Sequence, residues 1–222
     1  MLGFGQDDDD DDVAVKNPDP APDPEDAKNT NYTASDYASE QVGTSGNDTL
    51  GTSTSTDSVA LFGLTGNDSL VGSSSDDYFE GDAGIDTINA FSGNDAAYGG
   101  SGVDLFYGLG GKDTIIFSNA DQVSGGADAD TFHYVYRDVT SDPVVITDFD
   151  KDIDTLTVHY TPQTDDQGNP IVPAMSFEID ASIGETLIKM DGVVVAKLQG
   201  DITISSSDVT LTEYDATFLD RL

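Results

Sequence analysis

Nine aspartates set a beat along the middle of the chain: Asp48, Asp57, Asp68, Asp77, Asp86, Asp95, Asp104, Asp113 and Asp130. Most steps are nine residues, and two positions after each stands Leu50, Val59, Leu70, Phe79, Ile88, Ala97, Phe106, Ile115 or Phe132. Carboxylates in such an array could pass protons or hold a hard cation through oxygen. Acid–base chemistry has no support from this pattern: with 43 Asp+Glu in 222 residues, carboxylate pairs arise everywhere by chance. No HExxH, GxSxG or P-loop pattern occurs, so no catalytic residue is assigned. Zinc would want His or Cys; the chain has no Cys, and His133 and His159 share no ligand motif. The plain alternative is that these aspartates only end turns. A turn-ending role does not require them to keep phase with an apolar residue.

Holding the aspartates in register is the work of the residues around them. Glycines before most of the aspartates supply the positive φ of a tight turn. The triplet after it, such as "LFY" or "TII", reads as a short strand whose middle residue points inward. One repeat is then a turn and a strand, and cannot bury its single apolar side chain alone. Two repeats make a coil with turns at opposite edges, and stacked coils share a thin core. The beat falters twice. Asp57 to Asp68 is eleven residues, which reads as an insertion of Leu61 and Phe62, and Asp113 to Asp130 is seventeen, across the glycine-free "FSNADQ". "TSTSTDSVA" (52–60) lacks glycine and "GSSSDDYFE" (72–80) has Ser75 in a glycine place, so these two turns are expected to hold metal weakly or not at all.

Composition narrows the partners. Only 8 Lys+Arg oppose the acids, for a formal charge of −35. Nucleic acid, anionic membranes and polyanionic substrates are disfavoured by repulsion. Without Cys there is no disulfide, and no stretch approaches the ~18 apolar residues of a membrane span. The start "MLGFGQDDDDDDVAVKNPDP" lacks the pattern of a conventional signal peptide, so export is expected by another route. Residues 1–42 read as a solvated acidic, Pro-rich tail, with Asp7–Asp12 unbroken and Pro at 18, 20, 22 and 24.

"GGSGVDLFY" (99–107) matches every fixed position of G-G-x-G-x-D-x-U-x, with U large and apolar, and "GTSGNDTLG", "GLTGNDSLV", "GDAGIDTIN", "GLGGKDTII" and "GGADADTFH" match most of them. The chain therefore resembles the RTX calcium-binding nonapeptide family. That resemblance implies an all-β, right-handed parallel β-roll over residues 43–133, with calcium ions between consecutive turns of each edge. One edge would carry Asp48, Asp68, Asp86 and Asp104, and the other Asp57, Asp77, Asp95, Asp113 and Asp130. Turn carbonyls near Gly66, Gly84, Gly93, Gly102 and Gly111 would complete the sites. Physical chemistry agrees with the metal: an all-oxygen cage of ~6–8 ligands suits calcium better than magnesium, which demands a tight octahedron. Stacked carboxylates also repel until a divalent ion lies between them, so calcium binding should drive folding. The resemblance further implies export through a type I secretion machinery to the cell exterior.

After Phe132 the beat stops. Residues 134–222 read as a C-terminal β cap followed by a type I secretion signal, with a hairpin at Asp191–Gly192. "DFDKDID" places Asp148, Asp150, Asp152 and Asp154 at alternate positions, either a further calcium site or a solvated strand edge; Ile153 stands where an EF-hand needs Gly. The expected function is a secreted, non-catalytic calcium-binding roll with a structural or adhesive role. The alternative is a cell-surface module that binds extracellular polysaccharide, with Tyr78, Tyr98 and Tyr107 as an exposed aromatic strip.

Overall fold

The computed structural model describes residues 36–118, 120–136, 142–200 and 202–214. The expected tail therefore lies mostly outside the described residues, as do the last eight residues of the expected export signal. Short strands follow one another in the order β1 (Ser39–Val42), β2 (Thr49–Gly51), β3 (Val59–Phe62), β4 (Ser69–Val71), β5 (Tyr78–Glu80), β6 (Ala83–Gly84), β7 (Thr87–Asn89), β8 (Ala96–Tyr98), β9 (Ser101–Gly102), β10 (Leu105–Gly110) and β11 (Thr114–Phe117). They continue as β12 (Gln122–Ala127), β13 (Thr131–Tyr136), β14 (Val144–Ile146), β15 (Thr155–Tyr160), β16 (Gln163–Thr164), β17 (Pro170–Ile171), β18 (Met175–Asp180), β19 (Glu185–Met190), β20 (Val193–Gln199) and β21 (Val209–Glu213).

Alternate strands go to two facing sheets. One runs β1-β3-β5-β8-β11-β13-β15-β21, parallel throughout. The other runs β18-β19-β20-β14-β12-β10-β7-β4-β2, parallel from β20 onward. The protein is an all-β parallel β-roll. Each strand is only a few residues long because the next glycine turn ends it.

The core lies between the sheets and is thin: the short strands β4, β7 and β8 each place one side chain in it. Leu61, Phe79, Ala97, Ile115, Phe132 and Leu156 stack in register on the first sheet, and Leu70, Ile88, Phe106, Val123, Ile146 and Leu198 on the second. All are buried in one continuous cluster. Phe117 stacks on Tyr134 at 5.8 Å and meets Phe132 edge-on at 6.2 Å.

Three expectations are corrected here. The expected tail ends sooner than residue 42, because Ser39–Val42 pairs with Val59–Phe62 and opens the first sheet. Parallel stacking also does not stop at residue 133: β14, β15, β20 and β21 extend the same two sheets. β15, β20 and β21 run to six, seven and five residues, while β14 keeps three. Finally, Leu61 is no insertion. It sits opposite Phe79, so the two extra residues of this coil fall in the turn before Val59. At the far end β18, β19 and β20 form antiparallel hairpins; the second turns at Asp191–Gly192, with φ of 49° and 84°.

Candidate metal centre

Turns leading from the first sheet to the second stack along one edge, and the return turns along the other. On the first edge the Asp48 amide donates to Asp68 Oδ1 (2.7 Å), Asp68 to Asp86 (2.8 Å), Asp86 to Asp104 (2.8 Å) and Asp104 to Asp121 (2.8 Å). On the second edge Asp77 donates to Asp95 (2.7 Å), Asp95 to Asp113 (2.9 Å), Asp113 to Asp130 (2.9 Å) and Asp130 to Asp154 (2.9 Å). The assignment of aspartates to edges thus follows the coil expected from the spacing, with changes at three places.

Asp57 does not join the ladder. The amide facing Asp77 Oδ1 is that of Val59 (2.7 Å), and Asp57 lies exposed in the enlarged turn, its own amide bonded to Ser55 Oγ. Asp121 and Asp154 join without having been expected. Asp121 ends the glycine-free turn, and Asp154 is 24 residues beyond Asp130. Asp148 reaches back to the preceding turn of the second edge instead, accepting the amides of Gly125 (3.0 Å) and Gly126 (2.8 Å) and the hydroxyl of Ser124 (2.6 Å).

One oxygen of each ladder carboxylate is therefore satisfied by the neighbouring coil. In five of them the other is not: Oδ2 of Asp68, Asp86, Asp95, Asp104 and Asp113 is buried with no hydrogen-bond partner. Burial raises four carboxyls above the ordinary range, Asp95 and Asp104 to about 8, Asp86 and Asp113 to about 6. Burial also lifts Asp130 to about 7. Neighbouring carboxylates add to the shift: Asp113 and Asp77 act on Asp95, and Asp121 and Asp86 on Asp104. A buried charge without a partner is costly, so each of these oxygens calls for a cation or a proton.

The backbone brings further oxygens to the same places. A Cβ on Gly63 would stand 2.5 Å from Asp68 Oδ2 and 2.8 Å from the Gly81 carbonyl oxygen. One on Gly81 would stand 2.6 Å from both Asp86 Oδ2 and the Gly99 carbonyl oxygen. Glycine at the head of most repeats thus leaves a cradle into which a carboxylate and the next coil's carbonyl both point; Ala90 heads the repeat of Asp95. Two residues before the aspartate, Gly66, Gly84, Gly93, Gly102 and Gly111 have φ between 125° and 153°. A Cβ on Gly84 would overlap the Gly66 oxygen, and one on Gly102 the Gly84 oxygen, so these carbonyls face along the stack. Among the described residues no three ligating side chains converge. A cation here would take carboxylate oxygens from the ladder and its remaining ligands from carbonyls and water. That all-oxygen donor set fits calcium.

Residues 60–88 and 89–119 match the RTX calcium-binding nonapeptide repeat family. The coils of residues 60–119 are RTX calcium-binding repeats. The RTX coils also have a distant likeness among solved structures, the solution structure of the AlgE6R3 subunit from the Azotobacter vinelandii mannuronan C5-epimerase. It is 18% identical, with a TM-score of 0.33, over 78% of this chain and 77% of that one. No curated protein matches the sequence.

Two other groups of residues differ from expectation. The RTX coils put Tyr78 and Tyr98 on the first sheet, 5% and 8% exposed, and the half-exposed Tyr107 on the second. No aromatic strip forms, because successive repeats alternate between sheets. His133 Nδ1 and His159 Nε2, 26 residues apart in sequence, meet at 3.1 Å, and burial lowers both rings to about 4. Strand pairing alone brings them together, and no local motif announces it.

Proposed function

We propose that the chain is a secreted, calcium-responsive RTX β-roll with a structural or adhesive role and no catalysis. The observation that carries this reading is the stack of buried carboxylate oxygens without donors. Each is a place where folding leaves negative charge uncompensated, and a divalent ion removes that cost. At ~100 times its Kd, an ion bound only to the folded chain stabilises it by ~2.7 kcal/mol per independent site. Several such sites rival the ~5–15 kcal/mol stability of an ordinary domain.

Extracellular calcium modules have Kd of ~10⁻⁴–10⁻³ M. In this reading the roll stays loose at low cytosolic calcium, passes a type I channel, and folds outside. The hairpins β18–β20 close its far end. The saccharide-binding alternative loses the aromatic strip on which it rested. Circular dichroism of the full chain in chelator and then in calcium tests folding, and calorimetric titration gives the stoichiometry. A β-signal unchanged by chelator, with no heat of calcium binding, would refute the proposal.

A further inference from the structure

The turns of the roll are of two kinds, and the residue four places before the ladder aspartate distinguishes most of them. In the turns of Asp68, Asp86, Asp95, Asp104 and Asp113 that residue is Leu64, Asp82, Phe91, Gly100 or Leu109, with φ from 67° to 93°. In each of these five turns Oδ2 is buried and no donor reaches it. In the turns of Asp48 and Asp77 the same place is held by Thr44 and Ser73, neither of which has positive φ. There the amide turns inward: Thr44 N–H donates to Asp48 Oδ2 (2.6 Å) and Ser73 N–H to Asp77 Oδ2 (2.6 Å). The hydroxyls complete the closure. Ser73 Oγ donates to Asp77 Oδ1 (3.0 Å) and accepts the Ser75 amide (3.1 Å), while Thr44 Oγ donates to Asp48 Oδ2 (2.9 Å) and accepts the Gly46 amide (3.2 Å). The shortened turn at Asp121 closes similarly, with Ser118 N–H on Oδ2 at 2.7 Å.

We propose that hydroxyl-bearing residues replace the cation in this chain: the turns at residues 43–48, 72–77 and 118–121 are sealed by their own donors and hold no calcium. Metal is then confined to gaps flanked by open turns. On the first edge these lie between turns 63–68 and 81–86 and between 81–86 and 99–104. On the second it lies between turns 90–95 and 108–113. The inference rests on the calcium reading above and adds where the ions stop. Its physical basis is the sign of the dipole at the ligand oxygen. An N–H aimed at Oδ2 satisfies that oxygen and presents its positive end where an ion would sit, so an entering cation must first displace it. The remaining turn glycine agrees, since the open turns have Gly66, Gly84, Gly93, Gly102 or Gly111 at φ of 125–153° where the sealed turn at 72–77 has Ser75.

A crystal structure of the full wild-type chain grown with calcium chloride should show anomalous density in the named gaps and none beside Asp48 or Asp77. The double change Ser73→Gly/Ser75→Gly should open the turn at 72–77 against its open neighbour at 90–95. Calorimetry with calcium alone should then count one more ion per chain than in wild type. Ser73→Ala, which removes the hydroxyl but gives no left-handed freedom, should add none. Density beside Asp77 in the wild type, or an unchanged count in a folded double variant, overturns the proposal. Should the double variant fail to fold, the wild-type map decides alone. Calcium nowhere in that map would sink the calcium reading itself, a result distinct from calcium in the wrong turns.

Discussion

Aspartates in the coils and aspartates in the C-terminal stretch both stand at turns and meet opposite fates. Asp95 and Asp104 are buried, each with one oxygen lacking a donor, and burial drives both carboxyls up to about 8. Asp165, Asp180 and Asp208 are held below the ordinary carboxylate range, each first by a side-chain donor in its own turn: Asn169, Ser182 and Ser205. Asp165 also accepts the amides of Gln167 (2.8 Å) and Asn169 (2.9 Å), and Asp208 the amide of Ser205 (2.7 Å). A turn that supplies its own donors keeps its carboxylate charged without help. A glycine turn with left-handed backbone withholds those donors and leaves the charge to something from outside. The apolar layers differ in the same sense: β19 and β20 are six and seven residues long with several buried side chains each, whereas β7 buries one residue in three.

The largest expected effect is therefore regional. In chelator at neutral pH, amide protection in β4, β7 and β10 should fall by about a hundredfold for each site emptied, the equivalent of ~2.7 kcal/mol. Protection in β19 and β20 should fall by less, because their hairpins rest on longer strands. Hydrogen exchange read by mass spectrometry checks this, and equal loss in both regions would erase the distinction.

Single substitutions sharpen it. Asp104→Asn keeps an acceptor for the Asp86 amide but removes a buried charge flanked by the Asp86 and Asp121 turns. It should weaken calcium binding and lower the stoichiometry, while stabilising the metal-free roll by about 1–3 kcal/mol, the scale of a relieved unsatisfied group. Asp180→Asn, at an exposed turn, should leave stability nearly unchanged in both states. Urea denaturation with and without calcium measures all four values, and the informative result is the opposite sign of the two Asp104→Asn effects.

The pH dependence follows from the same carboxyls. Their folded pKa values of about 6 to 8 lie above the ordinary 3.8. A group whose folded pKa is raised contributes stability that is complete below its unfolded value and is lost as pH rises through the folded one. Metal-free roll should thus be most ordered near pH 4 and progressively lose structure toward pH 8. Calcium should restore order at pH 8, do little near pH 4, and release protons on binding at pH 7. Dichroism of chelated protein across this range decides, and a stability that climbs with pH would contradict the placement of these carboxyls.

How much of this could be read in the residues depends on whether the signal was local. Aspartate and inward apolar residue keep phase within one repeat, so the two edges and the core stack are legible from "GGSGVDLFY" and its copies. Asp57 misleads because it stands nine residues after Asp48 with Val59 two places on, an accidental fit. Only the pairing of Leu61 with Phe79 across the coil shows that the true rung begins at Val59. Asp121 and Asp154 are hidden for the converse reason, since they keep the ladder at 17 and 24 residues without the glycine signature. The difference between open and sealed turns was only half legible. Ser75 marks one sealed turn, but "GTSGND" looks like a good repeat, and its closure depends on the Thr44 amide and hydroxyl.

The smallest expected effect separates apolar from ionic stabilisation. Ala97 is the one small residue in the inward stack of the first sheet, between Phe79 and Ile115. A small cavity beside it is lined by Ile88, Phe106 and Ile115, and reaches Asp95 and Asp113. Ala97→Val adds two methyl groups of a shape suited to a strand, and filling such space stabilises by ~0.5–2 kcal/mol. Because the gain is apolar, it should appear equally in calcium at neutral pH and in metal-free protein near pH 4. It should also lower the calcium concentration at half-folding without changing the number of ions bound. A gain confined to the calcium-loaded state would mean that the side chain acts through Asp95 and Asp113 and not through the core. The layer of single side chains and the ladders of carboxylates would then be one energetic unit instead of two.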